Sequence, residues 1–574
     1  MPSKRPARAP YPGAYSALTF LCLIVGVTIG LFLFSNAVRD LVPIQQRVLF
    51  MGQGSPSWAI GLYAHQAWAC SQHECGPELK AGVTSVGHIG IISLAIAIVP
   101  PFFVFVLGTS ARSSRFRRRP PTRDKSIFRV RLGRATGLLA LQGHGASIIE
   151  GAEVFLSGDD LCQNTCITGS IGSGKTTGAI IPILRQLLKL ILRPGMLIFD
   201  VKGDFGKTVM NLVRSIGGIE VTKIGVGGRP INLLAGLSPE VAASFLKSVL
   251  ILAGSGGQAA SVYLNTSVDL ARNMLGVLSF TDDYSLRALY DAVYYEKTTT
   301  QVDAIAKTIK SPRDRARFDT YAKYLQTVFP AFEPRIKNGA RTTLAQVLDA
   351  FNLEEIDQAF CRSGPDAITM EEVLDGRIFL MDLPISKYGL SAKTAYTMVK
   401  LRFFNVVDQR RSNPQWNQER PLVFVCDEYQ EVISVATDAM SDLNFWDKSR
   451  SARCAGIISA QGYSSFQAVI KDPTLTRALL QNFRQKITFR SEDSETLKFF
   501  GDLLGDVEIE RATESRSSNT TGSGTSTTLS VKSERVIDPQ FFRTEMERGR
   551  ALCLLSIGGK AYDDVLTMPY DDGN

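Results

Sequence analysis

The sequence predicts an α/β protein in which two membrane-spanning helices precede a mostly parallel sheet that carries an inserted all-helical region. Three observations predict this fold class. Two long segments near the N-terminus lack charged residues, short apolar runs alternate with helical patterns from about residue 130 onward, and residues 239–360 have helical periodicity without a clear strand. The 574 residues exceed what one hydrophobic core usually organises, so several structural units are expected.

The predicted membrane anchor covers residues 1–111. Its first span, about residues 15–38, is uncharged and long enough for the roughly 20 apolar residues that cross a bilayer. A cleaved signal peptide is the alternative, but no small-residue cleavage site follows and a second apolar segment comes soon after. That second span covers about residues 86–110, where Pro100 and Pro101 would only kink the helix.

Basic residues flank both predicted spans and indicate their orientation. Ten Lys and Arg residues but one acid, Asp124, lie between Arg112 and Arg134, and three bases precede the first span. Because such flanks stay in the cytoplasm, residues 39–80 are predicted to form an extracytoplasmic loop. The charge of this basic cluster alone accounts for the net charge of +9, so the charges of the rest of the chain sum to zero. The net charge therefore does not indicate nucleic-acid binding. The cluster is first a topology signal and a contact for anionic lipids.

Two cysteines of the predicted extracytoplasmic loop, Cys70 and Cys75, would lie in an oxidising compartment, where a disulfide between them is expected. Zinc held by these cysteines with His65 and His73 is the alternative, although the spacing fits no common zinc pattern. The six cysteines after residue 111 lack metal-ligand spacing and are interpreted as buried apolar residues.

Buried-strand patterns define the sheet domain, assigned to residues 112–238 and 361–574. Seven apolar runs have the length and composition of buried parallel strands. They are Asn164–Thr168, Met196–Phe199, Ile378–Met381, Leu422–Cys426, Cys454–Ala460, Lys486–Phe489 and Ala551–Leu555. Several end in a polar residue, at the edge where open α/β sheets bind ligands. Ser-Pro pairs mark helix starts in the insertion, and the polar segment from Ala512 to Ser530 is predicted to be a mobile loop.

A phosphate-binding loop follows the first of these strands. The run from Gly169 to Thr176 matches G-x-x-x-x-G-K-[ST] in full and precedes a helical pattern. Its glycines let backbone N–H groups converge on phosphate, the lysine adds a positive charge, and the threonine hydroxyl can bind Mg²⁺. The predicted nucleotide-binding residues are Gly169, Ser170, Gly172, Ser173, Gly174, Lys175, Thr176, Thr177 and Asp427.

Two adjacent acids follow the apolar run Leu422–Cys426. Asp427 would hold the Mg²⁺ shell together with Thr176, and Glu428 would position and deprotonate the attacking water. This pattern, with the phosphate-binding loop, predicts ATP and Mg²⁺ as ligands.

The order of these motifs resembles that of the type IV coupling proteins. Two spans come first, then the phosphate-binding loop, Asp200-Val-Lys-Gly-Asp204, a helical insertion, Asp427-Glu428 and a strand that ends at Ala460-Gln461. The family typically has an Asp-Pro-Lys-Gly-Glu-like element where this chain has residues 200–204, so Pro and Glu are replaced while the charges are kept. The runs 229–234 and 481–487 are also similar to family segments.

The resemblance implies a RecA-like motor domain that forms a homo-hexamer in the bacterial inner membrane. It implies ATP hydrolysis that drives single-stranded DNA and an attached relaxase toward type IV secretion channel subunits. Gln461 matches a strand-end glutamine that senses the γ-phosphate. Arg450 falls near the arginine finger that reaches the neighbouring subunit's nucleotide, and Arg453 is the competing candidate.

Three alternative functions remain open at the level of sequence. Some coupling proteins recruit protein effectors, for which the helical insertion would be a docking surface. A nucleotide-gated membrane scaffold is the second alternative. A chromosome-segregation translocase is the third, but it usually has more spans and a C-terminal winged helix for which no segment is evident.

Overall fold

The computed structural model describes residues 128–573 except 256–260, 296–297 and 520–521, together with Arg118 and isolated positions between residues 25 and 92. The chain divides into two compact units, residues 1–117 and 118–574. Within the described positions, no helix combines the length and the apolar content that a membrane span requires. Most of both predicted spans, about 15–38 and 86–110, lies outside these positions.

The described part of residues 1–117 includes one of the two loop cysteines. Cys70 is disulfide-bonded, whereas Cys75, His65 and His73 lie outside the described residues. The pairing of Cys70 with Cys75 therefore stays a prediction. Over the positions that the structure describes, no group of three or more His, Cys, Asp or Glu side chains could hold a metal ion.

An eleven-stranded sheet organises residues 118–574. Its strand order is β2-β1-β13-β12-β9-β3-β8-β7-β4-β6-β5. The strands of this sheet are β1 Arg129–Ala135, β2 Glu153–Ser157, β3 Thr165–Thr168, β4 Gly195–Asp200, β5 Val221–Ile224, β6 Ile378–Asp382, β7 Leu422–Cys426, β8 Cys454–Ala460, β9 Gln485–Thr488, β12 Arg550–Ile557 and β13 Lys560–Thr567. All seven predicted strands are present, within two residues at each end. The pairs from β9 to β5 are parallel.

The remaining strands make the sheet mixed rather than wholly parallel. β12 pairs antiparallel with β9 and with β13, and β1 pairs antiparallel with β13 and β2. The predicted run Ala551–Leu555 is therefore an antiparallel strand. Its continuous burial resembles that of the parallel strands because layers cover both faces of the sheet at this point.

Helices cover both faces of the sheet. The α-helices are α1 Leu138–Leu141, α2 Gly158–Leu161, α3 Ile181–Leu188, α4 Phe205–Ile216, α5 Pro239–Leu250, α6 Ser261–Leu278, α7 Leu286–Tyr294, α8 Thr298–Thr308, α9 Pro312–Lys323, α10 Phe329–Ala331, α11 Pro334–Leu348, α12 Glu354–Phe360, α13 Ile385–Ser412, α14 Asp442–Trp446, α15 Tyr463–Ile470, α16 Pro473–Gln481, α17 Ser494–Leu504 and α18 Pro539–Thr544. Successive side chains of strand β4 point alternately into two hydrophobic cores, one on each face of the sheet. Leu197 and Phe199 join one hydrophobic cluster, and Met196 and Ile198 join the other.

The chain between β5 and β6 forms helices only, as far as it is described. Both predicted Ser-Pro helix starts are confirmed. The hydroxyl of Ser238 accepts a hydrogen bond from the N–H of Val241, that of Ser311 accepts one from the N–H of Asp314, and Pro follows each serine in the first turn. The buried side chains of these helices belong to the same cluster as one face of the sheet. The insertion therefore shares its core with the eleven-stranded sheet, and the limits 239–360 stay a prediction.

The segment predicted to be a mobile loop, Ala512 to Ser530, is instead part of a hairpin, and the prediction was wrong. Strand β10, Asp506–Asn519, pairs antiparallel with β11, Gly522–Arg535. The polar composition is not compatible with a buried core, but a hairpin does not need a buried core. Backbone hydrogen bonds alone pair its two strands. Thr residues, which favour extended backbone, occur three times in β11 and once in β10.

Candidate nucleotide-binding site

The phosphate-binding loop leaves the carboxyl end of β3 and leads into a π-helical turn, Thr176–Ile180, that continues as α3. Its backbone conformation requires glycine. Gly174 has φ of 98°, and a Cβ on Gly169 would lie 2.6 Å from Oγ of Ser173 and 2.8 Å from Cβ of Phe489. The predicted strand, loop and helix therefore follow one another as the motif requires.

The side chain of Lys175 folds back onto this loop. Its ammonium donates hydrogen bonds to the carbonyl oxygens of Gly169, at 2.7 Å, and Ser170, at 3.3 Å. Burial lowers the pKa of Lys175, and the charges of Asp427 and Glu428 partly oppose that effect. The positive charge is thus held inside the loop, where a helix start favours anions.

Asp427 follows β7 and contacts the phosphate-binding loop directly. The hydroxyl of Thr176 donates to Oδ2 of Asp427 at 3.2 Å, and the hydroxyl of Ser459, on β8, donates to Oδ1. Hydroxyl and carboxylate oxygens are the ligands that Mg²⁺ prefers. Thr176 and Asp427 therefore fit the predicted Mg²⁺ site in both position and chemistry.

Glu428 adopts a left-handed backbone conformation, with φ of 55°, and its side chain is only 4% exposed. Oε1 forms an ion pair with the ammonium of Lys202, and Oε2 accepts a hydrogen bond from Nε2 of Gln430 at 2.6 Å. Burial raises the pKa of Glu428, but the hydrogen bonds from Lys202 and Gln430 outweigh it and leave the pKa below its usual value. Glu428 is therefore ionised and fixed.

Gln461 lies beside the loop because of the strand order. Strands β3, β8, β7 and β4 are neighbours and parallel, so the residues that follow them meet at one edge of the sheet. The backbone N–H of Gly169 donates to the carbonyl oxygen of Gln461 at 3.3 Å. The backbone N–H of Ser170 donates to the carbonyl oxygen of Arg490 at 2.9 Å. The predicted residues 169–177, 427, 428 and 461 are thus brought together.

Arg450 is not brought to this edge within its own chain. It lies in a short 3-10 helix, Ser449–Ala452, that immediately precedes β8, and its side chain is exposed. The seven residues of β8 span about 23 Å, so Arg450 lies at the opposite edge of the sheet from Gln461. Arg453 is tied to its own chain, because its guanidinium forms an ion pair with Glu419 at 2.6 Å.

Three residues of this site were not assigned a role from the sequence. Lys202 belongs to the 200–204 element that was singled out, but nothing local identifies Glu428 as its partner. Ser459 is one polar residue in a buried strand, and that position next to a strand end is the available signal. Gln430 follows the acidic pair by two residues and has no distinguishing pattern.

Sheet order, loop and acidic pair define a P-loop nucleotide-binding domain. A family model described as the TraM recognition site of TraD and TraG matches residues 421–545. These findings, with the structures below, confirm the predicted resemblance to the type IV coupling proteins.

The fold is similar to solved structures of the bacterial conjugative coupling protein TrwB. The unbound monoclinic form of TrwBdeltaN70 has a TM-score of 0.51 and 17% identity over 78% of this chain and 94% of that chain. TrwB in complex with ADP and Mg²⁺ has a TM-score of 0.51 and 15% identity over 77% and 95%. TrwB with a non-hydrolysable ATP analogue has a TM-score of 0.51 and 16% identity over 78% and 96%. No curated protein matches the sequence.

Proposed function

We propose that this chain is an ATP-hydrolysing coupling protein of a bacterial inner membrane, which drives single-stranded DNA with its attached relaxase into a type IV secretion channel. One observation carries the ATPase part: Thr176 of the phosphate-binding loop donates a hydrogen bond to Asp427, which with Glu428 follows β7, two strands from β3 in the sheet. The resemblance to coupling proteins supports the DNA cargo, the channel partners and the homo-hexamer.

The residues of one subunit would divide the work of hydrolysis. Lys175 and the loop N–H groups would bind the β- and γ-phosphates, and Glu428 would orient the attacking water and accept its proton. Gln461 would contact the γ-phosphate or that water through its amide. Mg²⁺ at Thr176 and Asp427 would neutralise charge that develops on the phosphate oxygens.

A neighbouring subunit would complete the site. Arg450 is exposed and about one strand length from its own loop, so its guanidinium could act only on the nucleotide of another subunit. A planar, permanently charged group suits stabilisation of the transition state. Arg453 is the weaker candidate, because Glu419 already holds its guanidinium.

Two anchoring helices, about 15–38 and 86–110, would place the motor domain in the cytoplasm. Channel contacts to DNA would be made mostly to backbone phosphate and would therefore depend on salt but not on sequence. The family model's description also names a TraM recognition site, and residues 421–545 would bind a protein partner of that kind. Protein effectors as cargo, or a nucleotide-gated scaffold, remain the alternative functions.

The test is the ATPase rate of the purified full-length protein with and without single-stranded DNA, for wild type, Lys175→Ala and Arg450→Ala. Stimulation by DNA that both substitutions abolish is the expected result. Stimulation by a purified effector but not by DNA would favour the protein cargo. Substrate transfer that survives Glu428→Gln would favour the scaffold.

A further inference from the structure

We propose that Lys202 is a positioning residue for hydrolysis, whose ammonium holds the carboxylate of Glu428 in the orientation from which it activates water. The inference rests on the proposed ATPase function and assigns a role to the 200–204 element. Lys202 pairs with Oε1 of Glu428 while Gln430 donates to Oε2, so each oxygen has its own partner. Two partners on different elements fix both the position and the rotation of the carboxylate.

Hydrogen bonds and close packing hold the turn that presents Lys202. Asp200, the last residue of β4, is 1% exposed, and its two carboxylate oxygens accept hydrogen bonds from the N–H groups of Gly203 and Gly206, each at 2.7 Å. Gly203 has φ of 92°, and a Cβ there would lie 2.9 Å from Cγ of Pro384. The backbone N–H of Ile385 also donates to the carbonyl oxygen of Val201 at 3.1 Å. The backbone on both sides of Lys202 is therefore held in place.

The sheet aligns this turn with the acidic pair. Strands β4 and β7 are parallel neighbours, and their register places Phe199 opposite Cys426. Lys202 and Glu428 consequently leave the same sheet edge, three and two residues beyond that paired position. This alignment accounts for the ion pair without any contribution from the helical insertion.

Burial of the two partners is unequal, and this asymmetry assigns the roles. The Glu428 side chain is 4% exposed, whereas that of Lys202 is 49% exposed. A buried carboxylate needs charged or polar partners, but a half-exposed ammonium could remain solvated without one. Lys175 already lies within the phosphate-binding loop. Lys202 therefore acts through Glu428 and does not serve as a second phosphate-binding lysine.

Another lysine of the sheet edge provides a matched control. Lys223, on β5, forms an ion pair with Asp382 at 3.1 Å and is 45% exposed, which is close to the value for Lys202. Its partner is the last residue of β6, whereas Glu428 follows β7. Lys223→Met removes a lysine of similar exposure from an ion pair at the same sheet edge but leaves Glu428 untouched.

The experiment measures kcat, KM and the Kd for a fluorescent ATP analogue in the full-length wild type, Lys202→Met and Lys223→Met. Loss of a hydrogen bond to a charged group is expected to lower kcat of Lys202→Met by about ten- to a hundredfold. The Kd should change less than about twofold, because ground-state binding does not use Lys202. Lys223→Met should match the wild type in every parameter.

A double-mutant cycle with Glu428→Gln tests whether the two residues act as a unit. The double variant should be no slower than Glu428→Gln alone, because Lys202 has no effect once the base is gone. Multiplied losses, or a raised Kd for the ATP analogue in Lys202→Met, would overturn the inference. If the wild type hydrolyses ATP and Lys202→Met has the same kcat as Lys223→Met, the inference is overturned but the proposed function is left intact. Absence of hydrolysis in the wild type would overturn both.

Discussion

The hydroxyl oxygen of Thr176 lies 3.2 Å from Oδ2 of Asp427, although 251 positions separate the two residues. The parallel pairs β3·β8 and β7·β8 create this contact, because they place the ends of β3 and β7 on either side of β8. Ser459 of β8 donates to the other carboxylate oxygen and fixes Asp427 from the third strand. Assembly of the predicted Mg²⁺ site therefore depends on sheet topology.

Thr176→Val should weaken nucleotide binding in a Mg²⁺-dependent way. The substitution removes the hydroxyl ligand and nearly preserves the shape of the side chain, so affinity for Mg²⁺-ADP should fall by at least about tenfold. Affinity for ADP in excess EDTA should hardly change. Calorimetric titration in both buffers measures the difference, and Thr474→Val, at an exposed position on α16, is the control. An equal loss in both buffers would contradict a metal role for Thr176.

A buried ion pair behind the acidic turn should dominate the stability of this region. Lys400 and Asp442 are both fully buried, with Nζ and Oδ2 2.6 Å apart, and burial lowers the pKa of Lys400. Asp442 also accepts a hydrogen bond from the N–H of Ser434 at 2.6 Å. Asp442→Asn would leave an uncompensated buried ammonium and should lower the free energy of unfolding by about 3–5 kcal/mol.

The matched control for Asp442→Asn is Asp438→Asn. Asp438 pairs with Lys247 at the same distance of 2.6 Å, but its side chain is 65% exposed. Its loss should change the free energy of unfolding by less than about 1 kcal/mol. Urea denaturation of both variants in detergent gives the comparison, and equal effects would show that burial does not decide the contribution of these pairs.

The sequence predicted the sheet centre well because buried parallel strands give continuous apolar runs. The limits of β7 and β8 were predicted to the residue. Strands β1, β2, β5 and β13 of the sheet were missed, the last two because charged residues such as Lys223 and Asp563 interrupt them at positions where the sheet is partly exposed. Hydrophobic periodicity cannot distinguish such strands from loops.

The candidate site was predictable where chemistry is local in sequence. The phosphate-binding loop and the pair Asp427-Glu428 each form one short motif beside a strand. The contacts of Lys202 and Ser459 were not predictable, because they depend on which strands are neighbours, and strand order cannot be read from one sequence. The placement of Arg450 at the opposite edge needed the direction of β8 as well.

Stability should depend on pH through Asp564. This carboxylate is fully buried and accepts hydrogen bonds from the N–H groups of Gly137, at 2.6 Å, and Leu139, at 3.1 Å. Burial raises its pKa to about 6 in spite of those bonds. The folded protein therefore holds this proton more tightly than the unfolded chain, whose pKa is about 3.9, and stability falls as pH rises from about 4 to about 6.

Comparison with Asp564→Asn isolates this contribution. The free energy of unfolding of the wild type, relative to that of the variant, should fall by on the order of 3 kcal/mol between pH 4 and pH 7 and stay constant above. Urea denaturation at several pH values measures the difference. A constant difference over the whole range would mean that Asp564 titrates normally in the folded protein.

Mixed rings should reveal whether Arg450 acts on a neighbouring subunit. Lys175→Ala and Arg450→Ala should each abolish hydrolysis alone. In co-expressed rings, an Arg450→Ala subunit supplies an intact loop and its Lys175→Ala neighbour supplies an intact arginine, so about a quarter of the interfaces in a random mixture should be functional. ATPase activity of rings isolated through tags on both variants measures this recovery.

The competing arginine gives the control for that experiment. Arg453→Ala should retain hydrolysis, because the guanidinium of Arg453 is already paired with Glu419 on its own chain. Mixed rings that contain both inactive variants but regain no activity would contradict a trans-acting Arg450. Loss of hydrolysis in Arg453→Ala together with a wild-type rate in Arg450→Ala would transfer the role to Arg453. The distance of one strand length between Arg450 and its own loop makes recovery the expected outcome.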